Sequence, residues 1–204
     1  MARPLVLACG ALVAELRAVL TANRLSDQID VQYLPANLHN RPERIVPALR
    51  ELLEQHDPSG DRTVLIGYGD CGSGGAIDAL LAERPNLQRL PGNHCYEFFA
   101  GTAAFEAMAD TELGTFYLTD FLAKHFEALV WQGLGLDRHP ELLPMYFGHY
   151  TRLMLLSQHA TPAVVSAAEA AAEQLGLRFE HQPVGLTQFD HAIVAALSPT
   201  RKVA

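Results

Sequence analysis

Short apolar runs alternate along the chain with stretches of helical period, and this alternation carries most of the structural information. LVLA near the start, VQYL, TVLIGYG, TFYL, RLMLLS and LRFEHQPV read as strands, being short and rich in branched or aromatic residues. Between them, residues 11–24, 42–56, 75–83, about 95–109, about 119–132 and 162–175 carry apolar positions at the spacing of an amphipathic helix. Leu87–Leu90 adds a further short extended segment. The last of these helices has explicit boundary signals. Thr161 is placed to cap it, Pro162 fits its first position, and Gly176 ends it. The strand-helix-strand rhythm predicts an α/β fold, a three-layer sandwich on a mainly parallel sheet. No low-complexity linker interrupts it, so a single domain over residues 1–204 is expected, with the looser segment 133–144 as a loop excursion or lid.

Composition narrows the partners. A chain of 204 residues that is 49% hydrophobic can bury a full core. A formal charge of −8 argues against nucleic acid, whose phosphates require clustered Lys and Arg. The apolar start is broken by Glu15 and Arg17 and is too short for a bilayer span, so no membrane association is expected. A signal peptide is weighed because Arg3 precedes the apolar stretch, but a strand running through Cys9-Gly10 into a helix accounts for it better. Three widely spaced cysteines do not form a disulfide framework, and a reducing, cytoplasmic location is expected.

The placement of those cysteines is the main chemical signal. Free cysteine is commonly just a small buried hydrophobe. Here Cys9 follows the first strand, Cys71 follows TVLIGYG, and Cys95 follows the short LQRL segment and the PGNH turn. In a parallel sheet all three then lie on the edge where strand carboxyl ends gather, the edge at which ligands bind. LACGALVAEL and GDCGSGGAIDAL even repeat the same strand, Cys-Gly, helix order.

A shared metal site follows as an expectation, with zinc as the default ion for thiolates in a reducing compartment. Three protein ligands leave one coordination position open, as in catalytic zinc sites. The absence of Cys-x-x-Cys pairs separates the pattern from a zinc ribbon. Tyr68, Gly69 and Gly72 flank Cys71 as candidate cofactor contacts. The glycines around it would also suit a phosphate cradle, but GYGDCGSGG matches neither the dinucleotide fingerprint nor the P-loop. His94 and His39 are candidates for a fourth ligand or a proton shuttle. His94 adjoins Cys95, which strains joint ligation, and His39 lies in a polar loop beyond the second strand. Glu97 falls in the first turn after Cys95, where it can either complement the helix dipole or act as general base.

LPANLHNRPE, IGYGDCGSG, PGNHCYEFFAG and GTFYLTDF together resemble the family catalogued as domain of unknown function 1638. That family carries cysteines matching Cys9, Cys71 and Cys95. Many members have an acidic residue where this chain has Gly10, and many separate by one residue the His and Cys that adjoin here as His94 and Cys95. The resemblance implies a link to corrinoid-dependent methyltransferase systems, and hence one-carbon transfer with the corrinoid held by a partner protein. A thiolate-rich zinc site keeps a bound substrate sulfur electron-rich, which favours presenting a thiol such as homocysteine for methylation. The alternatives are a non-catalytic metal-binding accessory protein or chaperone of such a system, a zinc hydrolase using Glu97 or His39, and a closed structural metal domain.

Overall fold

The computed structural model describes residues 2–197. In chain order it contains β1 (Leu5–Cys9), α1 (Val13–Ala22), β2 (Asp30–Leu34), α2 (Ile45–His56), β3 (Val64–Gly67), α3 (Ala76–Glu83), β4 (Leu87–Arg89) and α4 (Cys95–Ala100). These are followed by α5 (Thr102–Thr111), β5 (Thr115–Thr119), α6 (Asp120–Lys124), α7 (Leu143–Phe147), β6 (Arg152–Ser157), α8 (Pro162–Leu175), β7 (Arg178–Pro183) and α9 (Thr187–Leu197). The α/β class with parallel strands is as the alternation predicts. The strands divide between two all-parallel sheets, and the chain forms two compact units, one up to Phe98 with the segment from Gln188 onward, the other from Phe99 to Thr187.

In the first unit the sheet has the order β2-β1-β3-β4. β1 and β3 are central, and every residue of Leu5–Ala8 and of Val64–Gly67 is buried. Burial on both faces explains why these strands read as continuous apolar runs and not as alternating ones. Leu5, Leu7, Val64 and Ile66 join Ile45, Leu49 and Leu53 of α2 and Ile77 and Leu80 of α3 in one core cluster. Because the chain goes from β1 out to β2 and then returns to the other side of β1 as β3, the β1/β3 junction is a topological switch point. Crossovers leave from opposite faces at such a junction, and in open α/β sheets ligands bind beyond the strand carboxyl ends there. At the opposite edge, the buried Asp57 carboxylate accepts from Arg84 Nη2 at 3.0 Å, Asn86 Nδ2 at 2.8 Å and the Arg62 N–H at 3.1 Å, tying the end of α2 to the starts of β3 and β4.

The second unit carries the sheet β5-β6-β7. β6 is buried throughout and packs in a cluster that includes Leu118, Leu122, Leu153, Leu155, Val164, Ala168 and Leu175. The buried Arg152 would be costly alone. Its guanidinium is satisfied by Thr115 Oγ1 at 2.8 and 2.9 Å and by Glu180 Oε2 at 2.7 Å, which fastens the starts of all three strands together.

Several helices depart from their expected extents for local reasons. The helix expected over about 95–109 is two, because Gly101 at φ 85° separates α4 from α5. The one expected over about 119–132 runs as α6 and then as a single π-helical stretch, Glu127–Trp131. The segment 133–144 is built of turns, a 3-10 stretch, Pro140–Leu142, and the first two residues of α7, and Leu136 within it is 1% exposed and belongs to the core cluster. α7 and α9 have no counterpart in the sequence reading. The signals at α8 hold: Thr161 Oγ1 accepts from the Val164 N–H at 3.4 Å, and Gly176 takes φ 70°. Thr161→Ala should therefore cost about 1 kcal/mol of stability, measured by urea unfolding, while Thr161→Asp should cost little.

Candidate functional site

The carboxyl edge of the first sheet is assembled from two loops fastened side by side. One, residues 68–75, links β3 to α3, and the other, residues 90–94, links β4 to α4. The Asp70 N–H donates to Gly92 O at 3.1 Å and the Cys71 N–H donates to Asn93 O at 2.7 Å. So close an approach leaves no room for a side chain at Gly69, where a Cβ would lie 2.9 Å from Gly92 O. Gly69 therefore brings the loop carrying Cys71 against the loop that leads to Cys95.

Each loop has its own brace. Asp70 Oδ1 accepts from Ser73 Oγ and from the Gly75 N–H, both at 2.8 Å, and Oδ2 accepts from the Gly74 N–H at 3.2 Å. The Gly75 N–H chiefly, with Ser73 and Gly74, holds the Asp70 carboxyl below its usual range. In the second loop Glu97, 5% exposed, accepts the Asn93 N–H at 2.6 Å, and its Oε1 lies 3.9 Å from His94 Nδ1. Arg89 adds hydrogen bonds to Leu90 O at 2.9 Å and Gly92 O at 3.0 Å. Asp70 and Arg89 went unremarked in the sequence reading. The Asp-Cys-Gly-Ser-Gly order does carry the side-chain-to-backbone turn signal, whereas nothing local marks Arg89.

Within this frame Cys71 has φ 49°, a left-handed conformation that a residue with a side chain adopts at a cost of about 1 kcal/mol or more. Gly72 follows at φ 77°. Backbone strain of this kind persists where the surroundings impose it, and it clusters at functional positions.

All three cysteines are free and partly buried. Cys9 ends β1 beside the switch point, Cys71 lies beyond β3, and Cys95 opens α4. Cys9 and Cys71 pack against the same core cluster, to which the buried Tyr68 belongs. The thiols feel one another. Burial pushes Cys71 up to about 12, with Cys9 and Asp70 adding to a rise that the Gly69 backbone and Arg89 moderate. Burial likewise raises Cys95 well above its usual value, with Cys71 and then Cys9 contributing. Cys9 is raised by burial and partly relieved by the Ala11 backbone and the Tyr68 hydroxyl. The three therefore share one electrostatic neighbourhood. Among the described residues, no three His, Cys, Asp or Glu side chains stand in an arrangement that would hold a metal ion as they are.

The two histidines also fall together. His39, in the 3-10 stretch Ala36–Asn40, is exposed, and desolvation of its ring and then the neighbouring His94 lower its pKa from the usual value. His94 is exposed and its ring centroid lies 6.1 Å from that of Tyr96. The edge thus collects Cys9, Cys71, Cys95, His39, His94, Tyr68, Gly69 and Gly72, with Glu97 engaged in holding the second loop.

Two stability tests follow. Gly69→Ala should cost about 1–3 kcal/mol through the overpacked contact with Gly92, read by chemical unfolding. The second concerns pH. With Cys71 at an ordinary 9.0 when unfolded and about 12 when folded, both states hold the proton below 9, and only the folded state holds it in between. The stability of the protein should therefore fall as pH rises from about 9 toward about 12, and Cys71→Ala should flatten that slope in thermal melts.

No curated protein and no solved structure was found that matches the chain. Residues 33–193 match a single family, a span that includes His39, Cys71, His94, Cys95 and Glu97 and begins after Cys9. With most of its length matched, the chain belongs to the family described as Protein of unknown function (DUF1638).

Proposed function

We propose that the β1/β3 switch point is a soft-metal site in which Cys9, Cys71 and Cys95 close on one zinc ion, and that the site activates a substrate thiol for methyl transfer. One observation carries the reading. Three free thiols from three separate elements gather on one sheet edge, where burial raises all three pKa values and the neighbouring thiols add to the rise at Cys71 and Cys95. Three thiolates crowded without a counter-charge would repel strongly at low dielectric. A divalent cation removes that penalty, and its binding releases the protons. Closing on the ion requires the sulfurs to move from their present arrangement by side-chain rotation, because Asp70 and Asn93 hold the backbone of the Cys71 loop.

When bound, the ion would hold the sulfur of an incoming thiol in its nucleophilic, deprotonated form. The chain's own residues do the rest. Three sulfur ligands keep the site electron-rich, which suits attack on a methyl group better than hydrolysis. In this reading His39 and His94, both exposed and close enough for His94 to lower the His39 pKa, accept the proton of the thiol. Glu97 already accepts the Asn93 N–H, so its engagement favours a positioning role over that of a free hydrolytic base. An exposed rim also suits a methyl donor delivered by another macromolecule, in keeping with the corrinoid-carrying partner that the family resemblance implies.

Metal analysis of protein purified without chelator or immobilised metal should find about one zinc per chain. Cys71→Ser should lose most of it, while Glu97→Gln should retain it. Wild-type protein that is folded, arrives without metal and takes up no zinc on addition would overturn the reading. With metal present, methylation of homocysteine by methylcobalamin, tested with and without a corrinoid protein, separates an enzyme from an accessory metal carrier.

A further inference from the structure

Where β5 and β6 end, at the carboxyl edge of the second sheet, four polar residues are buried: Thr119, Asp120, Ser157 and Gln158. Such edges are where ligands bind in parallel α/β sheets. The Asp120 N–H donates to Gln158 Oε1 at 3.2 Å, the His159 N–H donates to Asp120 Oδ2 at 2.7 Å, and Gln158 Nε2 donates to Leu156 O at 2.6 Å. Ser157 Oγ and His181 Nε2 of β7 lie 2.8 Å apart. One polar atom is left over. Asp120 is 3% exposed, and its Oδ1 is buried with no hydrogen-bond partner among the described residues. Other buried charges of the chain are matched: Asp57 accepts from Arg84 at 3.0 Å and Asn86 at 2.8 Å, and Arg152 meets Glu180 at 2.7 Å. Carboxylates are seldom buried this far without a partner, because an unpaired charge away from water is costly. Asp120 has one backbone donor on its carboxylate and, among the described residues, no ion pair.

We propose that this edge is a second ligand site, at which Asp120 Oδ1 receives the ammonium group of a small amine. The site lies wholly within the second unit and owes nothing to the thiol reading. What the carboxylate lacks is a counter-charge as well as a donor. A neutral hydroxyl would fill the lone pair and leave the charge unmatched, whereas an ammonium supplies both. An anion would meet Asp120 with no basic side chain among the groups bonded to it. The ammonium carries three donors, so one serves Oδ1 and two remain for neutral acceptors. Oδ1 is closed to solvent in the unliganded chain, but His159, whose N–H holds Oδ2, and the following Ala160 are both exposed. The carboxylate therefore stands one residue from the surface, and the amine enters through the His159–Ala160 turn.

The probe is n-butylammonium, with 1-butanol and butyrate as its neutral and anionic counterparts, titrated at constant ionic strength while the His159 amide resonance is followed by NMR. In wild type the amine should give a saturable shift of that amide, and the alcohol and the carboxylate should give none. Asp120→Asn keeps the shape and a carbonyl oxygen for the His159 N–H but removes the charge, so its affinity for the amine should fall roughly tenfold or more. Without amine the variant should melt no lower than wild type, because an unmatched buried charge is gone. No saturable shift with the amine, an equal response to 1-butanol, or unchanged amine affinity in Asp120→Asn overturns the proposal. If Asp120→Asn does not fold, the wild-type comparison of the three probes decides alone, an amine-specific shift supporting the site and a shared or absent one refuting it. A crystal grown in n-butylammonium that shows only an ordered water on Oδ1 also overturns it, since a buried water is the other partner such an atom takes.

Discussion

Two backbone hydrogen bonds, Asp70 N–H to Gly92 O and Cys71 N–H to Asn93 O, set the geometry on which the candidate site depends. β3 and β4 are parallel neighbours, and a sheet alone would let their outgoing loops diverge toward different helices. The two bonds extend the pairing past the strand ends and hold the loops together. Gly69 permits the contact and Asp70 and Glu97 brace either side, so Cys71 and the approach to Cys95 are held together. Cys9 reaches the same edge independently, at the end of β1, where its neighbour across the register is Leu34 and not the β3 loop. The thiol neighbourhood is thus assembled from one fastened double loop and one strand terminus.

This division bears on the strain at Cys71. A non-glycine residue at φ 49° is held there because its own N–H is committed to Asn93 and because Asp70 organises the turn that follows. Release would require breaking bonds in both loops. Burial first, and the neighbouring thiols after it, also keep Cys71 and Cys95 in the neutral, protonated form.

The sequence made the edge legible but not its interior arrangement. Cys9, Cys71 and Cys95 could be assigned to strand ends because LVLA and TVLIGYG are apolar on both faces, a pattern that belongs to central parallel strands. The division of the strands into two sheets was not legible. Each sheet alone satisfies the strand-helix rhythm, and the point where pairing stops depends on tertiary contacts. The break at Gly101 was hidden by the apolar character of CYEFFAGTAAF, in which a glycine can be read either as tolerated within a helix or as its end. Glu97 showed the limit most clearly. Its place in a first turn gave both a dipole role and a catalytic role, and only coordinates could show its carboxylate turned back onto the Asn93 N–H.

A carboxylate committed in this way changes how proton traffic at the site should be argued. A general base needs a free lone pair aimed at the reacting group. Glu97 spends one oxygen on Asn93, and the other would collide with any Cβ at Gly92, where a built Cβ falls 2.7 Å from Oε2. Both oxygens are therefore enclosed by the loop they stabilise. The histidines are in the opposite condition, exposed and adjacent, with the His39 ring made harder to protonate by desolvation and by His94. An imidazole with a lowered pKa is a weaker base but stands unprotonated and open to a proton at neutral pH, and as the stronger acid once protonated it passes that proton on easily. A thiol entering an electron-rich site has to lose one proton and keep its sulfur. On the proposed reading, the rim histidines would meet the first requirement and the partly buried cysteines, holding an ion, the second, which would separate proton removal from sulfur activation.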